Sequence, residues 1–299
     1  MTARLPTDLL ERSAEEGARL VALAYLDEIT RAQHRLPDPA DAGALHDFRV
    51  GLRRLRSCIR AYREPLKGSV AKRVRRQLRD LTQETNAGRD TEVQLAWLRE
   101  RVGRLDTSAT EGLAWLIGRL EGRQYEASRG VTSDVGRRFE RLAAKLRPRL
   151  ETVKIVIQTG PRQMRSSFGQ VTGELIAAQV EDLGKKLSAV KSAEEMSDAH
   201  EARIAVKRLR YLLEPLSRRV PRVKTLVGRL KRLQDNLGDL HDAQVLTQEV
   251  ASSLATLEEV VPAPGALPGL LLLRGQAQDF STASFAAFQA NWSVSRAAR

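Results

Sequence analysis

An all-α fold is predicted by three features of the sequence. Long stretches rich in Leu, Ala, Arg and Glu place apolar residues three and four positions apart, which is helical spacing. Alternating β-branched runs of the kind that mark strands are missing. An eleven-residue pattern also occurs twice, about half a chain apart, as a duplicated helical unit would give.

The elements follow from the punctuation. A first helix over 8–34 stops before Pro37-Asp38-Pro39, and a second over 45–64 stops at Pro65 and Gly68. A third over 69–86 ends at Asn86-Ala87-Gly88, and helices over 90–105, 110–130 and 133–151 lead to Gly160-Pro161. Beyond that point the spacing predicts helices over 164–190, 196–217, 222–237, 240–258 and 266–291, with Pro215, Pro221 and the Pro262 to Pro268 segment as interruptions. Long helices with short connections favour antiparallel bundle packing.

The chain has 299 residues, 42% of them apolar, which suffices for the core of one large or two modest helical domains. Its single cysteine, Cys58, cannot form an internal disulfide, so a reducing, cytoplasmic setting is expected. Met1 to Glu11 carries acidic residues where a secretory signal needs an apolar stretch. The densest apolar run, Leu270 to Leu273, falls far short of the roughly 18 residues of a membrane span.

The formal charge is +13, which implies an acidic partner. It is unevenly spread. His46 to Asp80 holds twelve Lys/Arg against three Asp/Glu, and His200 to Arg232 holds eleven against two, so each segment carries +9 and the remainder is acidic. That concentration argues for a localised binding surface.

The same two segments contain the repeat. His46-Asp47-Phe48-Arg49-Val50-Gly51-Leu52-Arg53-Arg54-Leu55-Arg56 aligns with His200-Glu201-Ala202-Arg203-Ile204-Ala205-Val206-Lys207-Arg208-Leu209-Arg210 at an offset of 154. At offset 152, Lys72, Leu78, Arg79, Leu81, Asp90 and Val93 align with Lys224, Leu230, Lys231, Leu233, Asp242 and Val245. Two halves, 8–155 and 162–292, are expected, joined near Gly160-Pro161.

Each residue of a helix turns the chain by about 100°, so His46, Arg49, Arg53, Arg56, Arg60 and Arg63 share one arc of roughly that width. Leu52, Leu55, Ile59 and Tyr62 occupy the neighbouring arc. His200, Arg203, Lys207 and Arg210 repeat the stripe; Lys72, Arg76 and Arg79 form another, echoed by Lys224 and Lys231. Cations then recur every ~5–6 Å along the axis. Like charges so stacked repel, a penalty that a bound polyanion removes. Arginine, which predominates, donates two bonds to adjacent phosphate oxygens.

With these paired motifs and the segment Leu233-Gln-Asp-Asn-Leu-Gly-Asp-Leu-His-Asp-Ala-Gln-Val245, the chain resembles the CHAD family, the conserved-histidine α-helical domains, over roughly residues 10–291. The resemblance implies two helical bundles related by a pseudo-two-fold axis around a basic central groove that binds inorganic polyphosphate. It points to His46, Arg49, Arg53, Arg56, His200, Arg203, Lys207, Arg210 and His241 as ligand-binding residues, with the second-helix basics and Arg60 beside them. The first copy departs from the pattern, because Arg89 stands where the second has His241. A triphosphate-tunnel domain, the frequent fusion partner with its alternating Glu-x-Glu-x-Lys strand, is not seen, so a stand-alone copy is expected.

Other readings are weaker. His46-Asp47 and His241-Asp242 have the dipeptide of metal-dependent phosphohydrolases, but only His34, His46, His200 and His241 are available as histidine ligands, and three of these sit amid positive charge. No Gly-rich phosphate loop or nucleophile elbow is visible. A non-catalytic protein without cofactor or metal is therefore expected, set in the cytoplasm and at polyphosphate granules. Nonspecific nucleic-acid binding at low salt is the main alternative, and it lacks stacking platforms: aromatics make up 4% of the chain, Phe48 and Tyr62 fall on the apolar arc, and Tyr211 alone borders a cationic face. The run Arg137, Arg138, Arg141, Lys145, Arg147 and Arg149 either extends the groove or forms a solvated helix face, the latter being favoured, and His34 reads as a surface or satisfied histidine. Asp47, Asp90 and Asp242 read as caps or arginine partners. Imidazoles held among arginines should gain a proton when polyphosphate enters, so affinity is expected to rise as pH falls from about 8 to about 6.

Overall fold

The computed structural model describes residues 5–38, 40–86, 88–102, 107–128, 131–152, 166–259 and 265–297. The expected join near Gly160-Pro161 lies outside the described residues. Among those described the protein is helical, with no strand beyond an isolated bridge between Ser13 and Ser167. Its helices are α1 (Ala14–Arg35), α2 (Ala42–Ala61), α3 (Lys72–Asn86), α4 (Arg89–Arg99), α5 (Thr107–Ser128), α6 (Val131–Glu151), α7 (Phe168–Ala189), α8 (Met196–Leu213), α9 (Pro221–Glu259) and α10 (Ala266–Ala297).

Helix starts follow capping chemistry. α1 begins later than the apolar spacing suggests, because the Ser13 hydroxyl accepts from the Glu16 amide at 3.3 Å and so sets the first turn there. The Asp41 carboxylate caps α2 through the Gly43 amide at 3.0 Å. α8 gives way after Leu213 to a short 3-10 turn over Glu214–Leu216, since Pro215 has no N–H to continue the ladder.

The largest departure from the sequence-based expectation is α9. Helices over 222–237 and 240–258 were anticipated, yet one helix of 39 residues spans both. Gly238 is not left-handed, because Gly88 alone among the described residues has positive φ, at 80°. A glycine inside a helix costs only about 1 kcal/mol, and the flanking Leu237 and Leu240 are both fully buried, which outweighs it. In the first copy Gly88 does break the chain, between α3 and α4.

The chain forms two compact units, and each draws on separated segments. One comprises Met1–Asn86, Gly130–Val180 and Arg208–Val227; the other comprises Ala87–Arg129, Glu181–Lys207 and Gly228–Arg299. The compact units thus cut across the sequence halves 8–155 and 162–292, and three of the boundaries fall within α7, α8 and α9.

In the first unit α2 packs along α1 and α3, and α6 packs on the same two helices and meets α2 at Phe48. Phe48 meets Phe139 edge to face with ring centroids 5.3 Å apart, and Leu52, Leu55, Ile59 and Tyr62 continue the same buried row. In the second, Leu95 and Leu98 of α4 pack with Leu113, Leu116 and Leu120 of α5, Leu246 and Val250 of α9, and Leu270 and Leu273 of α10. α5 and α10 touch through glycines: a Cβ on Gly269 would lie 2.4 Å from the Ala109 carbonyl oxygen and 2.9 Å from the Gly112 Cα. Because both obstacles are backbone, Gly269→Ala should destabilise the protein by about 1–3 kcal/mol in urea unfolding. Gly118→Ala on α5, where nothing lies within 4 Å, should be neutral or stabilising.

Candidate functional site

The buried row on α2 turns its basic stripe outward, but the stripe does two different jobs along its length. Near the start of the helix Arg49 bends inward and is only 8% exposed, with its Nε donating to the Thr85 carbonyl. Arg53 donates to the Asn86 side-chain oxygen at 3.3 Å. Both reach the C-terminal end of α3, where helix carbonyls lack intrahelical partners and the macrodipole is negative. His46 and Asp47 stand exposed in the first turn, with Asp47 paired to Arg35 at 2.7 Å.

Towards the other end the arginines open into a cavity of about 200 Å³. α2 and the turn after it supply Arg56, Arg60 and Arg63; α3 supplies Arg75 and Arg79; Ile59 and Leu78 form the apolar backing. Arg75 is steadied by donating to the Val70 carbonyl at 3.2 Å, and Arg79 is 3.5 Å from its neighbour Asp80. Burial, together with the Arg60 and Arg79 guanidinium groups, holds Arg56 below its ordinary value. A partly desolvated guanidinium crowded by like charge is one that a bound anion would stabilise.

The second unit carries a pair of neighbouring histidines. His200 of α8 and His241 of α9 have ring centroids 5.6 Å apart. Burial first, and then Arg203, lowers His241 to about 4, partly opposed by Asp90; His200 is lowered by burial, Arg203 and Lys207. Asp242 is raised by burial against the pull of Arg203. The titration window expected from a reference imidazole therefore moves down, because desolvation was not visible in the sequence. Arg89, at the position matching His241, is exposed and pairs with Glu92 at 3.1 Å.

Not every sequence-predicted residue joins these clusters. Lys72 and Arg76 on α3 and Lys224 and Lys231 on α9 are exposed but do not line the cavity. Arg210 pairs with Glu214 at 3.3 Å and lies 4.8 Å over the Tyr211 ring, so Tyr211 does border a cation, but it is buried, with Tyr25 donating to its carbonyl. His34 is exposed, as a surface histidine should be. Arg75 is absent from the sequence-predicted set: position 79 follows 75 and 76 at i+4 and i+3, so both share its face, and the stripe drawn through Lys72, Arg76 and Arg79 includes only the latter. Among the described residues no group of three or more His, Cys, Asp or Glu side chains could hold a metal ion, and no helix is long and apolar enough to cross a membrane.

The family model described as the CHAD domain matches residues 20–251. Two solved structures share the fold. The CHAD domain from the plant Ricinus communis is 21% identical over 97% of this chain and 95% of its own, with a TM-score of 0.69. PptA from Streptomyces chartreusis is 18% identical over 94% and 99%, with a TM-score of 0.72. No curated protein matches the chain.

The lowered His241 has a stability consequence of definite sign. Its folded value is about 4 against 6.5 for the free imidazole, so as pH falls between those values the unfolded chain takes up the proton first. Stability is thus complete above about 6.5 and drains away towards 4. In urea unfolding His241→Gln should lose less stability than the wild type between pH 7 and 4.5; a constant difference across that range would show an unshifted imidazole.

Proposed function

Because the chain belongs to the CHAD domain family, we propose that it binds a linear polyanion, inorganic polyphosphate first of all, and holds it without catalysing a reaction. The observation that carries this reading is the arginine-lined cavity between α2 and α3. Five guanidinium groups converge there on an aliphatic backing, and phosphate oxygens would accept from several of them at once. The His200, Arg203, Lys207 and His241 cluster of the second unit is the second set of ligand groups in this proposal, and the working setting is a cytoplasm containing polyphosphate granules.

Nucleic acid presents the same phosphate chemistry and is the competitor to test. Its bases would need stacking partners, and the cavity has only Ile59 and Leu78 beside its arginines. A repeating phosphate chain needs no such platform.

The test is a competition titration at about 150 mM salt, where long-range attraction is screened, with long-chain polyphosphate against single-stranded RNA and duplex DNA. Polyphosphate should bind tightly and resist displacement, and Arg56→Ala/Arg60→Ala should weaken it by at least about tenfold, as loss of charge-assisted bonds requires. Equal competition by RNA would move the function to nucleic acid. Affinity should also rise as pH falls below about 6.5, since a bound polyanion favours the imidazolium that the empty site disfavours. His200→Gln/His241→Gln should flatten that rise in the same titration.

A further inference from the structure

A second basic cavity, of about 310 Å³, lies on another side of α3, where α6 packs against it. α3 contributes Arg73 and Gln77, one turn apart, and α6 contributes Arg138, Arg141 and Lys145. The floor is aliphatic, formed by the buried Leu81 and Leu142. None of these residues belongs to the α2–α3 cavity. On α3 the two sets point about 150° apart at 100° per residue, so one ligand group cannot occupy both.

The charges here are unequally neutralised. Arg138 pairs with Glu84 at 2.6 Å and with Asp134 at 3.7 Å. Arg73, Arg141 and Lys145 form no ion pair among the described residues. From the sequence this run is either an extension of the groove or, the favoured reading, a solvated face. That reading suits Arg137, which is 71% exposed and 3.9 Å from Asp134, but Arg141 and Lys145 lie over a concave apolar floor, facing Arg73 from a different helix. Against such a floor the effective dielectric is lower than at a convex surface, so the mutual repulsion is stronger and an anion is held more firmly. Gln77 adds a neutral donor and acceptor at the same place.

We infer that the α3–α6 cavity is a second anion site, for a compact oligophosphate of tripolyphosphate size. Its volume is at the lower limit of small-molecule pockets, about 300 Å³. Arg73, Arg141 and Lys145 can together balance most of such a charge. Its lining offers no aromatic ring for a base to stack on, so the triphosphate moiety itself, not an attached nucleoside, is what it reads. The inference goes beyond the α2–α3 cluster and stands whether or not that cluster binds polyphosphate.

The experiment is a calorimetric titration of tripolyphosphate into the full chain and into two variants, Arg141→Ala/Lys145→Ala and Arg56→Ala/Arg60→Ala. The first should lose one binding event, or weaken it by at least about tenfold, with its melting temperature unchanged because Arg141 and Lys145 are both exposed. The second variant should keep that event, and the swap Arg141→Lys/Lys145→Arg should restore most of it. ATP should bind this site no more tightly than tripolyphosphate does. Unchanged stoichiometry and affinity in Arg141→Ala/Lys145→Ala, or no tripolyphosphate binding by the wild type, would overturn the inference. ATP bound at the site and not displaced by tripolyphosphate would overturn the inorganic assignment. Loss of binding only in Arg56→Ala/Arg60→Ala would leave the α2–α3 reading standing and this one refuted.

Discussion

The rotation of α2 about its own axis is set by Phe48, Leu52, Leu55 and Ile59, which are buried against α1, α3 and α6, and the placement of every cation on that helix follows from it. Consecutive residues point about 100° apart. Arg54 accordingly turns to Glu28 and Glu214, at 3.3 and 2.7 Å, while Arg53 and Arg56 on either side of it do not. Hydrophobic burial of several large side chains, each worth about 1.5–3 kcal/mol, outweighs the few tenths lost to each like-charge contact. The core thus imposes a crowding of guanidinium groups that electrostatics alone would disperse.

The crowding is resolved differently in the two units. In the first it meets a helix end and a set of carboxylates, which take up Arg49, Arg53, Arg54 and Arg138, and the cations left over line concave aliphatic surfaces. Arginine stays charged at any physiological pH, so those surfaces offer a constant attraction. In the second the cations share their surroundings with two imidazoles and with Asp90 and Asp242, and the balance there depends on protons. One chain therefore carries both a permanent and an adjustable positive surface.

Much of this was legible in the sequence because it is periodic. The all-α class, the α2 stripe and the family resemblance all rest on spacings of three, four and about 150 residues, and the helices and the family match agree with them. What periodicity cannot carry is the direction of a long side chain once it leaves the helix. Arg49 and Arg56 occupy one arc on the wheel, yet Arg49 folds inward to a carbonyl exposed by a helix end that only the tertiary structure supplies. The α3–α6 cavity was equally hidden, since Arg73 and Arg141 come from segments that no repeat relates. Desolvation of His241 depends on the packing of α8 and α9, which no local pattern reports.

The conformation of Gly88 also decides whether the two matching motifs are structurally equivalent. Its counterpart by offset is Leu240, a fully buried residue inside a continuous helix. The break at Gly88 releases the last carbonyls of α3, and Arg49 closes on one of them; the helix that runs through Leu240 has no end there, and Arg203 lowers the pKa of both His200 and His241. Leucine at position 88 would be strained at that φ, and glycine at 240 would empty a filled core position. The two matching sequence motifs are therefore not interchangeable parts, and exchanging them would remove a scaffold cation from one segment or a buried anchor from the other.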